Sequence, residues 1–107
     1  MTADAPDTEA FMALVARLAA RDPRLSELGA AMLVAAQLGL ASDTRSFAKT
    51  FGIAHALVLR ELNAMAQLPG LVEIARRDPR TMRTHYIVAA ATAVRLEEPL
   101  PAPAAAA

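Results

Sequence analysis

Two helical patterns separated by only Gly52-Ile53-Ala54 constrain this chain of 107 residues more than any other feature. Upstream, Ser42-Asp43 offers N-caps for a short helix through Phe51, with Phe47, Ala48 and Phe51 on one side and Arg45 and Lys49 on another. Downstream, Leu57, Val58, Leu62 and Met65 recur at helical spacing from about Ala54 to Gln67, so a second helix with an inward apolar stripe is predicted there. A connection that short leaves the two helices no room to separate. They must cross and share a core, which is a helix-turn-helix.

Leu68-Pro69-Gly70 breaks the pattern and hands over to Leu71-Val72-Glu73-Ile74-Ala75-Arg76-Arg77, whose β-branched residues suit a strand. Asp78-Pro79-Arg80-Thr81-Met82 is turn chemistry, and Arg83-Thr84-His85-Tyr86-Ile87-Val88 reads as the returning strand. Helix-turn-helix followed by a β-hairpin predicts a winged helix, mainly α with a small hairpin. Two helices precede it. Residues 8–21 carry Phe11, Leu14, Val15, Leu18 and Ala19 on one face, with Thr8 as N-cap, and Arg21-Asp22-Pro23 stops that helix. The second runs from about Arg24 to Leu38, with Leu25, Leu28, Met32, Leu33, Ala36 and Leu38 on a broad apolar face and Gly39 just past its end. That breadth makes it the central helix. Residues 89–96 suit either a short final helix or the end of the second strand. Residues 1–7 and the Pro/Ala-rich residues 98–107 cannot bury a core and are expected to be disordered, leaving residues 8–97 as a single domain.

Composition supports helices packed on helices. Hydrophobic residues make up 55% of the chain, but 27 of them are alanine, and there are only 3 Phe, 1 Tyr and no Trp. The interior must come from Leu, Val, Ile and Met, which argues against an all-β fold. The formal net charge of zero hides a division along the chain. Residues 1–44 hold three basic and six acidic side chains, a balance of −3. Residues 45–95 hold eight basic side chains (Arg45, Lys49, Arg60, Arg76, Arg77, Arg80, Arg83 and Arg95) against Glu61, Glu73 and Asp78, a balance of +5. A basic central half of this kind is the footprint of a segment that meets phosphate.

Other chemistries find little support. The absence of Cys removes disulfides, thiolate nucleophiles and Cys-ligated zinc, and His55 and His85 have no carboxylate at ligand spacing. No Gly-rich phosphate loop, activated nucleophile or paired carboxylates point to an enzyme, and no cofactor is expected. The methionines, Met12, Met32 and Met65 among them, read as core gap-fillers. An acidic, proline-broken start is unlike a secretory signal, and the longest uncharged stretch, Leu28 to Ser42, is shorter than the ~20 residues a bilayer span needs. A cytoplasmic protein is expected.

Ser46-Phe47-Ala48-Lys49-Thr50-Phe51-Gly52-Ile53 is similar to the Leu-Ala-x-x-Leu-Gly-Val helix and turn of the MarR-type winged-helix transcription regulators of bacteria. Val58, Arg60, Leu62, Asn63 and Met65 fall where that family's recognition helix has Val, Arg, an aliphatic residue, Asp and Leu. Gly70-Leu71-Val72 resembles its entry to the wing, and Arg77-Asp78-Pro79-Arg80-Thr81-Met82-Arg83 resembles its Asp-Pro-Arg-Asp-x-Arg wing. The resemblance covers roughly residues 25–90. It departs at the recognition-helix start, Ala54-His55-Ala56-Leu57-Val58-Leu59, where the family has Ser or Thr, and at a short C-terminal region.

The resemblance implies a transcriptional regulator that binds double-stranded DNA through the helix at about 54–67 and a basic wing at about 71–88. The expected DNA contacts are Arg45 and Lys49 on the first helix, His55, Ala56, Leu59 and Arg60 on the second, and Arg76, Arg77, Arg80 and Arg83 on the wing. Asp78 is expected to pin the wing through a salt bridge to Arg80 or Arg83. Phe11, Leu14, Val15 and Leu18 form a stripe expected to pair in a homodimer. The resemblance leaves room for a small-molecule effector, although no polar cluster marks a pocket. The alternative is a winged helix used as a protein-protein interaction module, contacting a regulator, polymerase or phage component through His55, Leu57 and Leu59.

Overall fold

The computed structural model describes residues 8–97, and the tails expected to be disordered lie outside them. Five helices and a two-stranded antiparallel hairpin make up these residues. Helix α1 (Thr8–Arg21) ends just before Pro23, as the proline dictates. Helix α2 spans Glu27–Gln37, and Ser26 caps it by accepting from the Gly29 N–H at 3.0 Å. Its start lies three residues later than the apolar pattern from Arg24 suggests, because Asp22 captures Arg24. The Asp22 carboxylate accepts from the Arg24 backbone N–H at 3.1 Å and from its guanidinium at 2.8 and 2.7 Å, which closes residues 22–25 into a turn.

Helix α3 (Thr44–Phe51) is capped by Asp43, whose Oδ2 accepts from the Ser46 N–H at 2.9 Å. It stops at Gly52, which holds a left-handed conformation (φ 68°) that a residue with a Cβ adopts only at a cost. Helix α4 (His55–Ala66) follows at once, with Ala54 at its N-cap making no side-chain bond. Strands β1 (Val72–Arg77) and β2 (Thr84–Val88) form the hairpin, with a bulge at Ala75 between the paired residues Ile74 and Arg76. Ser42 and Asp43 lie along the free edge of β2: the Ser42 carbonyl accepts from the Tyr86 N–H at 3.1 Å and Asp43 bridges to His85. Helix α5 (Ala90–Glu97) resolves the open reading of residues 89–96. Thr92 fastens it to the α4–β1 connection by donating to the Gly70 carbonyl at 2.6 Å.

The core sits around α2, which packs on α1, α4, β2 and α5 and buries Ala30, Met32, Leu33, Val34 and Ala35. Gly29 lies close against α4, where an added Cβ would come 3.0 Å from both the Glu61 Oε2 and the Met65 Sδ and those side-chain ends would have to give. Phe51 stacks on Phe11 of α1 (5.4 Å between ring centroids) and on Phe47 (4.4 Å), joining α1 to α3.

Burial corrects several sequence expectations. Phe11, Val15 and Leu18 are buried within the chain's own core and Leu14 is half-buried, so the α1 stripe is not an open face for a second copy. The stripe looked uncovered because the sequence does not reveal that α2, α5 and Phe51 close over it. Met12 is 48% exposed, one position round the helix from the core stripe. Leu57 is 45% exposed, because α4 buries the i, i+4, i+7 set Val58, Leu62 and Met65. Leu38, at the α2 C-cap, is also exposed. No helix among the described residues is long and apolar enough to cross a membrane.

Asp22 also ties the two ends of the domain together, because Arg95 of α5 reaches the same carboxylate at 3.2 Å. The Arg24 side-chain hydrogen bonds dominate its environment and lower its pKa from 3.8 to about 2, against an opposing push from burial. A carboxylate with a depressed folded-state pKa contributes stability that is complete above the unfolded value and is lost as pH falls through the folded one. Acidification from about pH 4 to about pH 2 should therefore remove stability through this group, by about 1 kcal/mol once solvent screening of the exposed guanidinia is counted. Asp22→Asn should be less stable at neutral pH and show a correspondingly shallower acid dependence in urea titrations; an unchanged dependence would show that the ion pairs contribute nothing.

Candidate nucleic-acid interface

The residues expected to meet DNA come from three elements, and local geometry decides which of them converge. Lys49 lies one turn after Arg45 on α3, so both project from the side opposite Phe47. The tight turn at Gly52 brings the start of α4, with His55, alongside them. The hairpin returns past the N-terminus of α3 and adds Arg83. Arg45, Ala48, Lys49, Ile53, His55 and Arg83 thus line an open groove of about 380 Å3. Sequence spacing does not reveal this cluster, whose basic members lie up to 38 residues apart, from Arg45 to Arg83.

Thr44 organises the groove from beneath. It is fully buried, and its hydroxyl oxygen accepts from the Thr84 backbone N–H at 3.0 Å while lying 2.8 Å from His55 Nε2. One side chain thereby joins α3, β2 and the start of α4. Partial burial, together with Arg45 and Arg83 nearby, lowers the pKa of His55 from its ordinary 6.5, against a smaller opposite pull from Asp43. Asp43 lies behind Arg83, with 3.4 Å between carboxylate and guanidinium. Burial pushes the Asp43 pKa up, but hydrogen bonds from Ser46 and the Arg83 charge outweigh it, and the carboxyl titrates below its usual range.

The remaining arginines divide into tethered and free. Arg45 donates to the Thr81 carbonyl from Nε (3.3 Å) and Nη2 (3.0 Å), fixing the hairpin tip to α3. Arg77 donates to Thr84 Oγ1 at 2.9 Å and to Asn63 Oδ1 at 2.8 Å, fixing β1 to α4. Arg76 lies across the hairpin from His85, 3.3 Å from Nη2 to Nε2. The expected salt bridge from Asp78 to Arg80 or Arg83 does not form. Asp78 instead accepts from the Arg80 backbone N–H at 2.9 Å, the main reason its pKa is lowered, and its own N–H bonds the Arg83 carbonyl at 2.9 Å. These bonds close the hairpin loop and leave the Arg83 guanidinium to Asp43. Among the described residues, the side chains of Lys49, Arg60 and Arg80 have no hydrogen-bond or ion-pair partner.

On α4 the outward face is Ala56, Leu57, Arg60 and Asn63. Leu59 is half-buried and His55 is engaged by Thr44, so two of the four positions expected to read base edges, Ala56 and Arg60, are exposed and Leu57 joins them. Among the described residues no group of three His, Cys, Asp or Glu side chains could hold a metal ion. No family model, curated protein or solved structure matches the chain.

Because Thr44 is buried, Thr44→Val should leave the Thr84 N–H unpaired and cost about 1–3 kcal/mol in chemical denaturation. Thr44→Ser, which keeps the hydroxyl, should cost less than half as much. A near-neutral Thr44→Val with a larger loss for Thr44→Ser would show that the methyl group, and not the hydroxyl, holds the junction.

Proposed function

We propose that the chain is a winged-helix protein that binds duplex DNA and regulates transcription, with α4 presented to the major groove and the hairpin acting as a wing on the flanking backbone. The observation that carries this reading is the convergence of Arg45, Lys49, His55 and Arg83 on one groove beside the open face of α4. Three further features support it. The Ser42-Asp43 segment pairs with β2 ahead of α3 and anchors the hairpin beside the helix pair. Arg80 stands free at the hairpin tip. Arg60 stands free on α4, one turn from Ala56, where a helix in the major groove would offer it to a guanine edge. The resemblance of residues 25–90 to MarR-type regulators points the same way.

Lys49→Ala combined with Arg80→Ala should weaken binding to all sequences alike and flatten the slope of log K against log salt by about 0.9 for each phosphate no longer neutralised. Neither side chain has a partner in the fold, so stability should stay within about 0.5 kcal/mol of the parent. Anisotropy titrations on a generic duplex at several salt concentrations measure the affinity and its slope, chemical denaturation measures the stability, and an unaltered slope would remove the groove and the wing tip from the interface.

A second reading rests on Leu57, which is 45% exposed in the centre of the α4 face and suits a protein partner better than a base edge. Arg60→Ala and Leu57→Asp separate the two. If α4 reads DNA, Arg60→Ala should reduce specific affinity about ten- to a hundredfold while sparing non-specific binding. If Leu57→Asp leaves DNA affinity intact and abolishes a protein complex, the interaction-module reading replaces the first.

A further inference from the structure

The groove holds a titratable group that simple charge neutralisation does not need. His55 is the first residue of α4, its ring lines the groove, and its Nε2 lies 2.8 Å from the Thr44 hydroxyl. The Thr44 oxygen already accepts from the Thr84 N–H, yet it retains one proton to donate and one further lone pair. It can therefore donate to Nε2 of a neutral imidazole, or accept from the Nε2–H of an imidazolium, without moving. Protonation of His55 reverses the direction of that hydrogen bond rather than removing it, with the hydroxyl proton turning aside.

Every charged group facing His55 bears on that proton. From α3 come Arg45 and Lys49, from the hairpin Arg83, and from the turn before α3 the Asp43 carboxylate, which is itself occupied by Ser46 and Arg83. The positive end of the α4 dipole adds to the cationic side. With the groove empty this balance disfavours the imidazolium, in keeping with a pKa below 6.5. An anion seated among the same side chains offsets that positive charge and favours the imidazolium.

We infer that the groove between α3, the start of α4 and the hairpin seats one phosphate group of the ligand, and that His55 takes up a proton when it does so. The inference rests on the DNA reading for the source of the phosphate, a backbone phosphodiester, and adds to it the proton coupling. A proton bound on complex formation makes the affinity rise as pH falls, by about tenfold for each unit that the anion raises the His55 pKa.

The test follows duplex affinity at constant ionic strength between about pH 5 and about pH 8, together with the His55 ring resonances of the intact protein across the same range. The wild-type protein should bind roughly three- to tenfold more tightly at the acid end. The His55 titration midpoint should move upward when duplex is added, and His55→Gln, checked for an unaltered melting temperature, should bind with an affinity that ignores pH. Arg80→Ala, at the hairpin tip and outside the groove, should bind more weakly at every pH while keeping the wild-type slope. Duplex binding with no pH dependence, or a His55 midpoint that duplex leaves in place, overturns the proton coupling and leaves DNA binding standing. If no duplex binds at any pH, the DNA reading falls. Inorganic pyrophosphate then decides the groove: an upward shift of the His55 midpoint keeps the phosphate site with a free phosphate as its ligand, and no shift overturns it.

Discussion

The Thr44 hydroxyl is the contact on which the geometry of the basic face depends. It is removed from solvent and joins the backbone of β2 to the ring that opens α4, while Asp43 beside it caps α3, bridges to β2 and pairs with Arg83. Hydrogen bonds in such a water-poor junction are costly to leave unmade, so each partner restricts the others. Two consecutive residues therefore join the helix pair to the hairpin at its inner edge. Arg45 and Arg77 hold the hairpin at its tip and along β1, and Asp43 and Thr44 add the contacts that place Arg83 against the start of α4.

The acidic N-terminal half plays a different part from the one that charge counting suggests. Asp22, the most buried carboxylate among the described residues, takes no part in lining the basic groove and gathers Arg24 and Arg95, tying the α1–α2 turn to α5. Arg95 counts toward the +5 of the central segment, yet it is spent on this structural pair. The charge that can meet a ligand is smaller than the segment total and more concentrated in space.

What could be read from the sequence was what local periodicity and turn chemistry specify. Gly52, Asp43 and the Asp78-Pro79 turn marked α3, α4 and the hairpin to within a residue or two, because caps and breakers act on their immediate neighbours. Long-range covering was not readable. Phe11, Val15 and Leu18 looked like a face awaiting a partner, since nothing local reveals that Phe51 and α2 lie over them. The single-position misreadings of Leu57 and Met12 share a cause: an alanine-rich helix tolerates several rotations, and only the neighbouring helices choose one. For the site, residue types were visible and their pairings were not. Arg83 choosing Asp43 over Asp78, and Thr44 mattering at all, depend on contacts across 40 residues in each case, Asp43 to Arg83 and Thr44 to Thr84.

The same arginines serve the fold and the candidate interface, which limits how the surface can respond to a ligand. Arg45 holds the hairpin tip, Arg77 holds β1 to α4, and Arg83 leans on Asp43, so each keeps its position by donating hydrogen bonds or charge within the chain. A guanidinium carries five N–H donors, and the bonds observed here occupy only one or two of them. Tethering therefore orients these side chains without exhausting them, and reduces the rotamer entropy lost when an anion arrives. Lys49, Arg60 and Arg80 lack that support and must be ordered by the ligand itself. A face built this way has a rigid basic centre at the α3–hairpin junction and adjustable cations around it, suited to fixing one phosphate closely while tolerating variation in the rest of a duplex.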